Sequence, residues 1–337
     1  MTKSAQPNWT QQLDPRIELL PRGSNFLRAK MLWEIGLDVA GDPLIPYGEN
    51  RDMRVSVGSG GSDSWKPSLN LATGSAVLAY DVCRGDVDMA FMNPSALLTQ
   101  AYRGIEPFDK PMPVRVVCSY PSWDQFVMIV HPKTGLKTLR DVKEQQYPLR
   151  VSVREDPTHS TLVLIEQMFN IEGFSLKEFA AWGGQLVTTG SPVDPARLDP
   201  LKAGSIDAVF DEAIVKWMPH AFEAGYDFLE FTPGTIEALI ELGWRASLVT
   251  HDDYPYISRE YACIDFSGWP IYCRESLNEK TVIDVCEALV ARQDEIPWTK
   301  GDYHGIRQIF TDSRETPIDV PLHSGVEKFL RDNSGKL

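Results

Sequence analysis

A chain of 337 residues, 43% hydrophobic and 24% charged, is long enough for two lobes and a large core, so it needs no disulfide or metal staple. A formal net charge of −14 excludes a nucleic-acid groove and docking on an anionic membrane. The five cysteines, Cys83, Cys118, Cys263, Cys273 and Cys286, are scattered, which excludes a disulfide framework and a zinc site and predicts buried thiols.

The opening segment, MTKSAQPNWTQQLDPRIELL, has no apolar run of signal-peptide length after Lys3, and no stretch of the chain approaches a transmembrane span. The expectation is a chain that is cytoplasmic as written, or periplasmic if a leader was removed, with no membrane insertion. Residues 1 to 25 read as an irregular arm. Ser24 caps an amphipathic helix carrying Phe26, Leu27, Met31, Leu32, Ile35 and Leu37, and Gly41 stops it. MRVSVG alternates as a strand and runs into a loop of glycine and serine. SAVLAYDVC is a helix closed by Gly85, and VDMAFMN a strand. VRVVCSYPSWDQFVMIV holds two strands about Pro121.

Further along, GLKTLRDVKEQQ is a short helix, LRVSV a strand, THSTLVLIEQMFNIEGF a helix, and FAAWGG a short strand or turn. DPARLDPLKAG is a helix, IDAVFDEA a strand and turn, AIVKWMPHAFEAG a helix, YDFLEF a strand and TIEALIELG a helix. WPIYCR is a strand before a long helix, and the tail is short and mostly helical. Strands alternating with helices predict α/β lobes with mainly parallel sheets.

Two segments repeat one pattern. CRGDVDMAF and LKAGSIDAVF both run Gly, Asp, Phe at spacings of three: Gly85, Asp88, Phe91 and Gly204, Asp207, Phe210. Each glycine ends a helix in a left-handed cap, each aspartate satisfies backbone donors at the turn, and each strand carries its loop to the carboxyl edge of a sheet. Two such edges facing each other make a cleft.

These residues carry a resemblance. GLKTLRDVKEQQYPLRVSV resembles the segment G-I-K-S-L-x-D-L-K-G-K-R-V-A-V of type II periplasmic binding proteins, at Gly135, Leu136, Lys137, Leu139, Asp141, Val142, Lys143, Val151 and Val153. RGDVDMAF and AGSIDAVF look like that fold's G-x-[IV]-D-[AG]-[AV]-F. The tail TPIDVPLHSGVEKFLRD is similar, at Pro321, Leu322, His323, Gly325, Val326 and Phe329, to the end of the TAXI family. That family comprises solute-binding subunits of tripartite ATP-independent periplasmic (TRAP) transporters. The resemblance covers roughly residues 50 to 332. It departs from the family at the opening T-G-G-x-x-G-x-Y-Y-P, replaced here by LPRGSNFLRAKM, and in the loosened DVKEQQYPLRV.

It implies a two-lobed type II periplasmic-binding-protein-like α/β fold. One lobe comprises residues 1–128 plus 265–337, the other 129–264, and the crossings lie near Phe126 to Val130 and Ile271 to Cys273. A ligand cleft lies between the lobes, a small organic acid is the ligand, and membrane transporter subunits are the partners. No cofactor and no metal are expected.

Candidate ligand groups sit in the loops after the strands. Ser59, Gly60, Gly61 and Ser62 offer backbone amides and hydroxyls, or form a flexible turn. Thr158, His159, Ser160 and Thr161 open a helix whose free amides suit an anion, or simply cap it. Asn93 and Ser95 offer neutral hydrogen bonds after the first twin strand. Asp211 and Glu212 offer charge to an amine, a hydroxyl or a cation after the second. Asn93 and Asp211 can equally cap the next helices. Arg154 can pair a ligand carboxylate bidentately, or pair Glu155 or Asp156. Trp182, with Trp65 and Trp123, stacks on a ligand or fills the core. HDDYPY, residues 251 to 256, is too local to converge on a metal.

The first functional expectation is a binding protein that closes around a small carboxylate-bearing solute. Two others stand beside it. One is a cytoplasmic enzyme on the same scaffold, decarboxylase- or isomerase-like, with His159 and Asp211 or Glu212 as acid and base. The other is a cytoplasmic ligand sensor.

Overall fold

The computed structural model describes residues 31, 35, 53–58, 67–73, 76–154 and 159–335. The arm before residue 25, the loop holding Ser59, Gly60, Gly61 and Ser62, Trp65, and Thr158 lie outside the described residues. Of the helix read from Ser24, Met31 and Ile35 are described, and both are helical.

In chain order the elements are β1 (Met53–Gly58), β2 (Pro67–Thr73), α1 (Leu78–Arg84), β3 (Met89–Phe91), α2 (Ser95–Arg103), β4 (Val114–Tyr120) and β5 (Gln125–Val130). Then come α3 (Leu139–Glu144), β6 (Arg150–Arg154), α4 (Ser160–Ile171), α5 (Leu176–Ala181), β7 (Gln185–Thr189), α6 (Pro195–Lys202) and β8 (Ala208–Asp211). The chain continues through α7 (Ile214–Glu223), β9 (Asp227–Phe228), α8 (Thr235–Glu241), β10 (Arg245–Val249) and β11 (Tyr261–Asp265). It closes with β12 (Trp269–Arg274), α9 (Glu279–Ala291) and α10 (Ser324–Asp332). The segment FAAWGG, read as a strand or turn, is instead the end of α5. Ser175 and Glu178 form a reciprocal capping box that starts a helix, and Trp182 is its C-cap.

The strands form two sheets. The first has the order β1-β2-β3-β12-β4, and the second β10-β11-β5-β8-β6-β7, with β9 beside β5. Both are mixed rather than mainly parallel. Parallel pairing is confined to β2–β3, β6–β7 and β6–β8, whereas β5 and β12 pair antiparallel with all their neighbours. The reason lies in the chain path. It leaves the first sheet after Tyr120, joins the second at Gln125, and returns between Asp265 and Trp269. A strand arriving from the other sheet runs against strands laid down by strand–helix–strand crossovers. Helices flank both sheets, and the molecule is a two-lobed α/β protein.

The repeated pattern marks equivalent strands. β3 lies between parallel β2 and antiparallel β12, and β8 between parallel β6 and antiparallel β5. Gly85 and Gly204 are both left-handed, at φ of 84° and 62°. Asp88 donates its N–H to the Asn70 carbonyl (2.9 Å) and accepts the Asn70 N–H on its carboxylate (2.8 Å). Asp207 does the same with Arg150, at 3.0 Å each way. Each aspartate thus pins the neighbouring parallel strand, β2 at its middle and β6 at its first residue, and each also meets a guanidinium, Arg274 or Arg150. We expect Asp88→Ala and Asp207→Ala each to cost about 2 kcal/mol of stability, the worth of a hydrogen bond to a charged acceptor, read as a lowered urea midpoint.

One core runs between the sheets and their helices, with Phe126, Phe169, Phe210, Trp217, Trp244 and Tyr261 among its largest members. A second core, around Cys118, Cys273, Cys286, Val326 and Phe329, seats α9 and α10 on the first sheet. Cys118, Cys263, Cys273 and Cys286 are buried free thiols and Cys83 is half-buried. The tail segment that carries the TAXI resemblance is architectural. The Pro321 carbonyl accepts the Val116 N–H, and His323, 1% exposed, caps α10 by accepting the Gly325 N–H on Nδ1.

Candidate functional site

Because β6 and β8 are parallel neighbours, with Val151 opposite Ala208, their carboxyl ends set Arg154 beside Asp211 and Glu212. Arg154 Nε donates to Asp211 Oδ1 (2.9 Å), and its Nη2 donates to Glu212 Oε1. Arg197, on α6 and 0% exposed, donates to the other Asp211 oxygen, and its Nε reaches the Ser152 and Thr189 hydroxyls at 3.0 and 3.1 Å. Among the described residues, this buried network gives ionic partners to two candidates; Glu155 and Asp156 lie outside the described residues. The Arg154 guanidinium, read as open to a ligand carboxylate, is engaged by Asp211 and Glu212. Asp211, read as a receptor for an amine or cation, is fully buried between two guanidiniums. Glu212, with 11% of its side chain exposed, stays at the border of the cluster.

His159 is the N-cap of α4. Its Nδ1 accepts the Thr161 N–H (3.3 Å) and meets the Thr161 hydroxyl (2.9 Å), so the neutral ring carries its proton on Nε2, 3.8 Å from Glu212 Oε1. Thr161 is thereby buried and internally satisfied, whereas Ser160, 6% exposed, makes no side-chain hydrogen bond among the described residues. Trp182 does not join this group. It packs on Phe174, with ring centroids 5.3 Å apart, against the core of the second sheet. Trp123 holds the Arg314 guanidinium over its ring at 3.5 Å and stacks near Tyr254.

On the first sheet, Asn93 is exposed, and Ser95 opens α2 with its N–H on the Ser267 carbonyl (3.3 Å). Ser267 lies in the returning crossing, and its hydroxyl exchanges hydrogen bonds with the Asp124 backbone, at 2.9 and 3.0 Å. Asp124 lies in the outgoing crossing. Its carboxylate accepts the Ala213 N–H on both oxygens at 3.0 Å, directly after Glu212. The loops after both twin strands therefore meet at the two crossings. The Asp124 carboxyl is enclosed although the residue keeps some exposed surface, and burial pushes its pKa well above the ordinary value. The Glu212 charge nearby pushes it higher.

Asp124 and Arg197 were not singled out in the sequence. Asp124 lies in a turn with no motif, and Arg197 follows an Asp-Pro that reads as helix start; only the fold brings them to β8. Among the described residues no cluster of three or more His, Cys, Asp or Glu is arranged for a metal, and no helix is long and apolar enough to cross a membrane.

No protein-family model and no curated protein matches the chain. Solved structures do. A PhnD1 protein from Prochlorococcus marinus, in complex with methylphosphonate, is similar over 77% of this chain and 84% of its own, at 11% identity and a TM-score of 0.38. Lactococcal OpuAC, closed on glycine betaine, is similar over 77% of this chain and 82% of its own, at 13% identity and a TM-score of 0.34. A Xanthomonas citri protein bound to ATP is similar over 77% and 81%, at 12% identity and a TM-score of 0.40.

Proposed function

We propose that the chain is a solute-binding protein of the type II periplasmic-binding class, which closes two lobes on a small carboxylate-bearing solute. The observation that carries this reading is the pair of equivalent strands, β3 and β8. Each delivers a polar loop to the two segments through which the chain passes between sheets. One lobe is built on the first sheet and the other on the second. On this reading the changeovers are the segments at residues 121–124 and 266–268 that link strands of the two sheets. With Arg154 engaged by acids, the solute's carboxylate falls to the N-terminal groups of α4, above all Ser160, and to Asn93 and Ser95 across the cleft. The tail motif from Pro321 to Phe329 supports the finer assignment of a TAXI-type subunit that is exported and serves membrane transporter subunits.

The test is a thermal-shift screen of small carboxylic acids against equal sodium chloride, followed by calorimetry and a turnover assay on each hit. We expect one molecule bound per chain, no conversion, and affinity lowered about tenfold in Ser160→Ala, the equivalent of one hydrogen bond. Absence of any stabilising acid would overturn the reading. A second reading, an acid–base enzyme, is favoured by His159 Nε2 facing Glu212 at 3.8 Å. Conversion of a hit that disappears in His159→Ala would establish it instead.

A further inference from the structure

We propose that the cavity between β10 and the tail segment before α10 is a second binding site, for a small organic cation that takes the place of the Arg314 guanidinium on the Trp123 ring. The site stands apart from the solute cleft and does not depend on it.

The cavity holds about 500 Å³, within the usual range for a small-molecule site. It is lined by residues 245–248 of β10, the loop after that strand, the end of β11, Trp123 and residues 312–314 of the tail. β10 is the outer strand of the second sheet, three strands from β8, or roughly 14 Å at the usual strand spacing. None of the candidate groups at the ends of β6 and β8 lines the cavity.

Its walls are fixed by hydrogen bonds. Arg245 donates from Nε and Nη2 to the two Asp319 oxygens, at 2.7 Å each, and from Nη2 to Asp312 at 2.8 Å. This fork draws the tail across β10. Trp123 is held by its N–H on Asp302 Oδ2 (3.0 Å) and by its stack with Tyr254, centroids 6.2 Å apart. Asp253 is held by Thr250, whose hydroxyl it accepts at 2.8 Å and to which its N–H donates at 3.2 Å.

The chain itself displays what this surface prefers. The Arg314 guanidinium lies 3.5 Å over the Trp123 ring, and its Nη2 is 3.4 Å from Asp253 Oδ1. An aromatic face beside a carboxylate is a receptor for a cation. Yet 52% of the Arg314 side chain is exposed, and among the described residues these are its two polar contacts. An exposed arm held so lightly swings out at little cost.

Asp265 supplies what Arg314 leaves unused. Its carboxyl lines the same cavity and accepts the Ser267 N–H (2.9 Å), and it enters no ion pair among the described residues. Burial raises its pKa above the ordinary value, as befits a carboxyl short of compensating charge. Arg245 already answers two carboxylates. Around the cavity Asp253, Asp265 and Asp312 stand against Arg245 and Arg314, and displacing Arg314 leaves three carboxyl groups against one guanidinium. A ligand with two positive ends meets both Asp253 and Asp265. The fitting class is therefore an aliphatic diamine or guanidino-amine.

The probe is agmatine, a guanidinium and an ammonium joined by a butyl chain, titrated calorimetrically into the full chain. Ionic strength is matched with sodium chloride, because a chain of net charge −14 attracts any cation loosely. We expect one site per chain, with affinity lowered about tenfold in Asp253→Asn and in Asp265→Asn, the equivalent of one charge-assisted hydrogen bond. In Arg314→Ala affinity should rise about two- to fivefold, since an exposed cation–aromatic contact no longer keeps the place filled. That rise is the distinguishing sign, because an arginine with a merely structural role would lower affinity or leave it alone. If Asp265→Asn fails to fold, the two variants at the more exposed positions decide. No saturable binding to either the unmodified protein or Arg314→Ala would overturn the proposal. So would binding that is indifferent to Asp253→Asn, or affinity that does not rise in Arg314→Ala. A failed organic-acid screen would touch only the solute-binding reading, and a failed agmatine titration only this site.

Discussion

Arg197→Met should lower the stability of the protein by about 3–5 kcal/mol, the usual cost of stripping one partner from a buried ion pair. Arg197 and Asp211 are both wholly buried, and the arginine also donates to Ser152 and Thr189. Methionine fills much of the same volume without charge. It leaves Asp211 with Arg154 as its remaining cation, and two hydroxyls without their donor. The loss should appear in urea unfolding followed by both fluorescence and circular dichroism, since two lobes need not unfold together. Adding Asp211→Asn to Arg197→Met should recover part of the loss, because an amide can be buried without a counter-ion. If the single variant unfolds at the unmodified midpoint, the network contributes nothing to stability.

The second large effect is expected at Gln167. This residue, on α4, exchanges hydrogen bonds with Gln100 on α2 at 3.2 and 3.4 Å. It also donates to the Glu106 carbonyl (2.7 Å) and accepts from Trp244 Nε1 (2.6 Å). Gln100 is 0% exposed, Gln167 8% and Trp244 2%, so water does not replace a lost partner. Gln167→Leu conserves bulk but leaves the Trp244 indole N–H and the Gln100 amide buried without a partner. Each such group costs about 1–3 kcal/mol, and we expect a net loss of about 3 kcal/mol. The contact joins a helix that follows a strand of the first sheet to one that follows a strand of the second. The variant should therefore also show a larger radius of gyration. A change in stability without a change in size would mean that the contact braces the core and does not hold the lobes together.

The local parts of the fold were legible in the chain. Gly85-Asp88-Phe91 and Gly204-Asp207-Phe210 announced equivalent units because each role is filled within a few residues. A left-handed cap needs glycine, and the turn aspartate is presented straight to the neighbouring strand. His159, Ser160 and Thr161 were placed at a helix start for the same reason. FAAWGG was read as a strand or turn because a tryptophan beside two glycines reads alike in a loop or at a helix end, and the Ser175–Glu178 capping box upstream decides for the helix. β2, β7, β10 and β11 passed unread because PSLNLAT, QLVTT, RASLV and YACID mix small and polar residues with their apolar ones. Their strand character comes from the neighbours they pair with.

By itself, then, the sequence determined the lobes' repeating unit, the α/β class and the loops in which polar groups gather, since these depend on contiguous backbone needs. Only the tertiary structure decided which charges meet. It joined Arg154 to Asp211 and Glu212 across 57 and 58 positions, and set Asp124 against Ala213 from 89 positions away. Ion pairing acts through distance in space, and the distance between the ends of two neighbouring strands is fixed by sheet register, which no local spacing in the chain records.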